Sequence, residues 1–243
     1  MDFGLDVEEL DISKQKINIT DFSRYTNLKI LICKGSRGSK GNYGIISLFI
    51  LPFNLVKFDC CDTLISKLPD LPQTIKILIC CCNKITNLKN LPPNLEELIC
   101  SSNEIEILED LPITLKILDC HDNYITDLDN CPPNLEVLNC LDNDITCLDF
   151  LPSSIKDLNC SCNPIKHLNY LPIGLEELGC YDTLIEYLDN LPLNLISINC
   201  SNNHIEKLNN LPPKLKELDK RGNKINSQIC DLPSSLIIDY KSW

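Results

Sequence analysis

The chain has 243 residues, with 34 acidic against 22 basic side chains and a formal net charge of −12. Hydrophobic residues make up 44%, enough for a core, which excludes wholesale disorder, and no apolar run reaches the ~18 residues of a membrane span. A pI near 4.7 sets nucleic acid and anionic membranes aside as main partners.

The first eleven residues carry Asp2, Asp6, Glu8, Glu9 and Asp11. A secretory signal starts basic and then apolar, so an intracellular, cytoplasmic protein is expected. Val7 to Ile12 reads as a first strand and Asn27 to Cys33 as a second. Between Cys33 and Cys60 lie 27 positions, seven more than the period that follows. The surplus is assigned to a flexible Gly/Ser/Lys loop over residues 34–44, in which Lys34, Arg37 and Lys40 favour solubility over anion binding. It lacks G-x-x-x-x-G-K-[ST] and is no phosphate loop.

From Leu51 to residue 227 the chain repeats every twenty residues. Leu-Pro starts at Leu51, Leu71, Leu91, Leu111, Leu151, Leu171, Leu191 and Leu211, with Cys131-Pro132 filling the gap. Cysteine follows at Cys60, Cys80, Cys100, Cys120, Cys140, Cys160, Cys180 and Cys200. Three positions on comes asparagine, from Asn83 to Asn223, with Thr63 and Thr183 in two coils. The unit is L-P-x-x-L-x-x-L-x-C-x-x-N-x-I-x-x-L-x-x, seen cleanly over residues 91–110. Strand alternation puts Leu98 and Cys100 inward and Glu97, Ile99 and Ser101 outward. Leu95, Ile105 and Leu108 close the core from the other side. One such coil cannot bury its apolar side alone, so coils must stack into a continuous core and a parallel sheet. Asparagine at the bend tolerates unusual backbone angles and bonds backbone groups inside the turn. Proline after leucine rules out a long helix on the outer side, where extended or short 3₁₀ segments are expected. Residues 228–243 lose the pattern and read as a capping coil. The expected organisation is one repeat solenoid over 1–243, with N-terminal coils in 1–33 and eleven strand-bearing coils in all.

The unit resembles the leucine-rich repeat, L-x-x-L-x-L-x-x-N-x-L-x-x-L. Its 20-residue length and Leu-Pro pair are similar to the short bacterial type found in secreted effectors of pathogens. Similar arrays occur in giant DNA viruses, and the Ile-, Asn-, Lys- and Asp-rich vocabulary suits an AT-rich genome; the protein would then work in host cytoplasm or virion. The resemblance implies protein–protein recognition on the concave face of a curved parallel β-sheet; with the proline pattern leaving little α-helix and no catalytic set in view, a non-enzymatic monomer is expected. Two alternatives stand beside it: a substrate-recognition module of an effector such as a ubiquitin ligase, and a disulfide-bonded ectodomain. Many effectors of this type carry a ligase domain with a catalytic Cys-x-Asp. Cys147-Leu148-Asp149 matches those letters, but Leu148 is a core position, so a chance match is expected.

No cofactor, metal or catalytic residue is expected. The cysteine ladder reads as reduced core, because in-register parallel strands send their Cβ atoms the same way and hold sulfurs poorly for bridging. Cys61, Cys81, Cys82 and Cys162 fall outside it; Cys61 and Cys81 share one outward column, as an oxidised pair or a fortuitous metal site. Zinc wants four ligands, and His121 stands two coils beyond Cys81. The histidines His121, His167 and His204 are dispersed, with no nucleophile beside them.

What remains is the sheet face. One outward column runs Lys57, Ile77, Glu97, Ile117, Val137, Asp157, Glu177, Ser197 and Glu217; the other runs Asp59, Ile79, Ile99, Asp119, Asn139, Asn159, Gly179, Asn199 and Asp219. Ile77, Ile79, Ile99, Ile117 and Val137 form an apolar patch on a face that ought to be wet, either a partner site or simply β-branched residues suited to strands. The expected partner-binding residues are Ile77, Ile79, Glu97, Ile99, Ile117, Asp119, Val137, Asp157 and Glu177. Residues 96–200 hold 20 acidic against 3 basic side chains, a belt that steers a basic partner or keeps an elongated protein in solution.

Overall fold

Every strand-bearing coil yields one strand of three residues, and within each of two compact units each strand pairs in parallel with its neighbours in chain order. A computed structural model of the chain describes residues 4–13, 21–35, 50–225 and 233–237. It divides into two compact units, residues 1–123 and 124–243. The first unit holds β1 (Glu9–Asp11), β2 (Ile30–Ile32), β3 (Lys57–Asp59), β4 (Ile77–Ile79), β5 (Glu97–Ile99) and β6 (Ile117–Asp119). The second holds β7 (Val137–Asn139), β8 (Asp157–Asn159), β9 (Glu177–Gly179), β10 (Ser197–Asn199) and β11 (Glu217–Asp219). The register is the twenty-residue period itself: Leu78 faces Leu98 and Leu98 faces Leu118 in the first unit, and Leu158 faces Leu178 in the second. Each unit is therefore a repeat solenoid built on a parallel sheet.

The outer side carries no helix among the described residues. Each Leu-Pro pair makes a single turn, as where the Pro92 carbonyl accepts the Leu95 N–H at 3.1 Å. Proline fixes φ for the turn and has no N–H to continue a helix. The turn is tied to the previous coil: the Thr114 hydroxyl donates to the Pro93 and Leu95 carbonyls at 2.9 and 2.7 Å, and Ser154 does the same to Pro133 and Leu135 at 2.8 and 2.7 Å.

The core of a coil is as the alternation predicts. Leu95, Leu98, Cys100, Ile105 and Leu108 are at most 3% exposed, and each buried leucine stabilises by about 1.5–3 kcal/mol. All eight ladder cysteines from Cys60 to Cys200 are buried and in the thiol form. Burial pushes the thiols of Cys80, Cys160 and Cys200 up to about 12, so they pack as small apolar groups and are inert as nucleophiles.

The asparagine ladder closes the far side of the strand. Asn103 donates through Nδ2 to the carbonyls of Cys80, Cys100 and Ser101 at 3.0, 2.9 and 3.2 Å, and its Oδ1 accepts the Ile85 N–H at 3.0 Å. One side chain thus joins two coils. The unusual backbone angle, however, falls one residue earlier than expected. Cys82, Ser102, Asp122, Asp142, Cys162, Asp182 and Asn202 adopt positive φ, and the ladder asparagines do not, because the amide must stay pointed into the turn.

Other expectations are corrected. Ser101, expected outward, is 5% exposed, being covered at the strand exit. Lys34 is not a free loop cation: its Nζ lies 3.1 Å from Oδ2 of the buried Asp59. Gly35 runs against the next coil, donating its N–H to the Cys61 carbonyl at 2.7 Å, and a Cβ there would sit 1.7 Å from the Asp62 carbonyl oxygen. Beyond Gly35 the expected loop lies outside the described residues. So does the capping coil except for residues 233–237, where Leu236 donates to the Pro233 carbonyl at 3.0 Å and repeats the turn.

Candidate functional site

The chain alternates about each strand, so the first and third residues of β4, β5 and β6 face away from the core. In the first unit this brings together Ile77, Ile79, Glu97, Ile99, Ile117 and Asp119. Ile77 pairs with Glu97 and Glu97 with Ile117; Ile79 pairs with Ile99 and Ile99 with Asp119. Ile77, Ile79 and Ile99 are half-buried and Ile117 is 37% exposed. The face is a band of isoleucine interrupted by one carboxylate and closed by another. Asp119 is also tied locally: its Oδ1 lies 2.7 Å from His121 Nδ1 and accepts the His121 N–H at 3.3 Å.

In the second unit the outward columns bring Val137, Asp157 and Glu177 together on β7, β8 and β9, with Asp157 opposite Glu177. Around them opens a recess of about 250 Å³. Its cause is Gly179, which stands where neighbouring coils have Asn159 and Asn199; a Cβ there would meet Asn159 Oδ1 at 2.8 Å. Ser161, Tyr181 and Asn199 line it beside the two carboxylates. Burial holds the Asp157 carboxyl above its ordinary range. Burial also raises Glu177, and the neighbouring charges of Asp157, Glu217 and Glu176 raise it further. Lys156 does not neutralise them, because its Nζ is 2.9 Å from Glu136 Oε2.

The third residue of the strand has a second duty that alternation does not reveal. Its carboxylate or amide accepts the N–H two residues on: Asn159 from Ser161 at 3.2 Å, Asn199 from Ser201 at 3.2 Å, and Asp219 from Arg221 at 3.1 Å. Asp59, Asn199 and Asp219, expected outward, are buried at 2%, 7% and 6%. Over Asp219 the Arg221 guanidinium also folds back, with Nε 2.9 Å from Oδ1, and holds that carboxyl below its usual range.

Candidate chemistry elsewhere stays dispersed. Cys61 and Cys81 form a disulfide, with Cα atoms 4.7 Å apart, so the oxidised pair and not the metal pair is what this column holds. No group of three His, Cys, Asp or Glu side chains is arranged to hold a metal among the described residues. Cys147 is exposed, but the hydrogen bond to Asp149 pushes its thiol up, the wrong direction for a nucleophile. Leu148 beside it is core, at 5% exposed. No helix among the described residues is long and apolar enough to cross a membrane. The recess is what the sequence pattern did not flag; its one signal is a glycine in a column of asparagine, aspartate and isoleucine.

No protein-family model matches the chain, and no curated protein sequence does. Solved structures do. YopM from Yersinia enterocolitica is 34% identical over 88% of this chain and 47% of its own, with a TM-score of 0.78. The LRR domain of a Shigella effector is 31% identical over 62% of this chain and 70% of its own, with a TM-score of 0.57. The functional domain of InlJ from Listeria monocytogenes, which includes a cysteine ladder, is 25% identical over 93% of this chain and 55% of its own, at 0.72. The chain spans about half the length of the YopM structure.

Proposed function

The chain belongs to the leucine-rich repeat proteins, and from that premise we propose that it is a non-enzymatic scaffold that recognises a partner protein on the outward face of its sheet. The observation that carries this reading is the isoleucine band of β4–β6. Contiguous apolar surface on a strand face otherwise built of carboxylates and amides is costly in water and is covered in a complex. Glu97 and Asp119 on the band, and Asp157 and Glu177 in the second unit, favour a basic partner. The likeness to effector repeat domains supports work in a host cytoplasm. It also favours a second reading, in which the face selects substrates for a modifying activity held elsewhere.

The test replaces apolar surface by charge while leaving the core alone. Ile99→Asp combined with Ile117→Asp is expected to cut capture of cross-linked partner proteins at least tenfold, with the unfolding midpoint within a few degrees of wild type. Undiminished capture by a folded variant removes this surface from consideration.

A further inference from the structure

The recess around Gly179 is unlike the rest of the sheet face, because its lining supplies negative charge and unused donors but no cation. None of its lining residues is Lys, Arg or His. Asp157 and Glu177 stand opposite one another on adjacent strands, ~4.8 Å apart, close enough for one planar cation to touch both. A second and independent feature points to an occupant. Asn199 is 93% buried by its 7% exposure, and its Oδ1 is committed to the Ser201 N–H and hydroxyl at 3.2 and 2.8 Å. Because an N–H can only donate, this fixes which end of the amide is oxygen. The Nδ2 end has no acceptor among the described residues. Ser161 is 0% exposed; its Oγ accepts the Tyr181 N–H at 3.1 Å, and its own hydroxyl proton likewise has no described acceptor. A buried donor left unmet is costly; the Asn199 amide keeps a margin of exposed surface through which a ligand carbonyl would meet it, whereas the Ser161 hydroxyl is fully enclosed.

The occupant must therefore bring a cation for the two carboxylates and an acceptor for the amide. At about 250 Å³ the recess falls below the ~300 Å³ at which small-molecule sites begin, and it suits one side chain of a larger partner. A guanidinium matches better than an ammonium. It is flat, weakly hydrated, donates in a fork to carboxylates, and stacks on an aromatic ring such as that of Tyr181. We propose that the recess receives an arginine side chain of a partner protein, with Asp157 and Glu177 holding the guanidinium and Asn199 holding a main-chain carbonyl beside it. This rests on the sheet face being a recognition surface and names the chemistry of one of its contacts. Burial raises both carboxyls, and at Glu177 the neighbouring charges of Asp157, Glu217 and Glu176 add to it, so a cation seated between the two would relieve that crowding.

The probe is the tripeptide acetyl-Gly-Arg-Gly-amide, titrated into the full chain and followed by NMR at the Gly179 backbone amide and the Asn199 side-chain amide. Saturable shifts are expected at both. The citrulline tripeptide, neutral but of the same shape, is expected to bind at least tenfold more weakly, and the lysine tripeptide several-fold more weakly. Gly179→Asn restores the residue found at Asn139, Asn159 and Asn199 and is expected to fold while abolishing the shifts. Should that variant fold poorly, Glu177→Gln, a surface change, is expected to weaken the tripeptide at least tenfold. Absence of shifts, equal binding of the citrulline or lysine peptide, or shifts that survive in folded Gly179→Asn each overturn the assignment. If partner capture is lost in the Ile99→Asp, Ile117→Asp variant while the arginine peptide fails, recognition stands and the recess does not. If the peptide binds while capture ignores those isoleucines, the recess stands and the isoleucine band does not.

Discussion

A single asparagine side chain shows why the repeat tolerates so little change at that place. Asn103 makes three donor contacts and one acceptor contact, all to backbone groups buried between coils. Alanine there leaves those groups without their protein partner. Asn103→Ala is expected to cost about 2–4 kcal/mol, measured by denaturant unfolding of the full chain. Thr63 and Thr183 show the reduced form of the same role. Each hydroxyl donates to its own coil, to the Cys60 carbonyl at 2.7 Å and the Cys180 carbonyl at 3.3 Å, but no amide reaches the previous coil. Left-handed backbone sits next door, at residues such as Asp122, Asp142 and Asn202, types that visit this region more readily than most. At the recess, the sign of the Glu177 effect can be worked out. A carboxyl raised in the folded state adds stability below its ordinary value of ~4 and loses it as pH rises. Glu177→Gln is therefore expected to match wild type near pH 3 and to exceed it slightly at pH 7, by no more than ~0.5 kcal/mol given its exposure. Thermal unfolding across that pH range checks it. Binding of a cation runs the opposite way and weakens in acid.

A coil is the smallest element that carries meaning here. Its strand of three residues is too short to persist alone. It lasts because Leu98 and Cys100 share a core with the coils on both sides, and because Glu96 and Glu97 both donate to the Lys76 carbonyl, at 2.8 and 3.0 Å. Across coils, Glu96 sits between Lys76 and Lys116 at 2.8 and 3.4 Å, exposed pairs worth little each. Removing a whole coil keeps every column in register. Deletion of residues 91–110 is expected to leave a folded chain of lower stability, whereas deletion of ten residues, which sets the strand half of one coil against the outer half of the next, is expected to unfold the first unit. Circular dichroism and melting of the two deletions decide the point.

At the scale of the molecule the two units differ in what they offer. The first presents isoleucine on β4–β6, and the second presents carboxylates about a recess. Residues 124–200 carry twelve acidic side chains against Lys156 and Lys166. Such a field speeds encounter with a basic partner and is screened by salt within ~8–10 Å, whereas contact with isoleucine is not. The two contributions to recognition are thus separable by ionic strength. The buried thiols of the ladder take no part in either, being enclosed in the core.

The sequence by itself determined the period, the inward and outward columns, the parallel register and the buried cysteine ladder. These follow from alternation and from the inability of one coil to bury its own apolar side, both properties of a single twenty-residue unit. Tertiary structure alone decided which outward residues are wet. Asp59 is covered because Lys34 comes from an earlier coil, and Asp219 because Arg221 folds back on it. The union of Cys61 with Cys81, the left-handed residue one place before the asparagine, and the recess at Gly179 belong to the same class. Each depends on how a side chain in one coil meets its equivalent in the next, and a column of letters does not contain that distance.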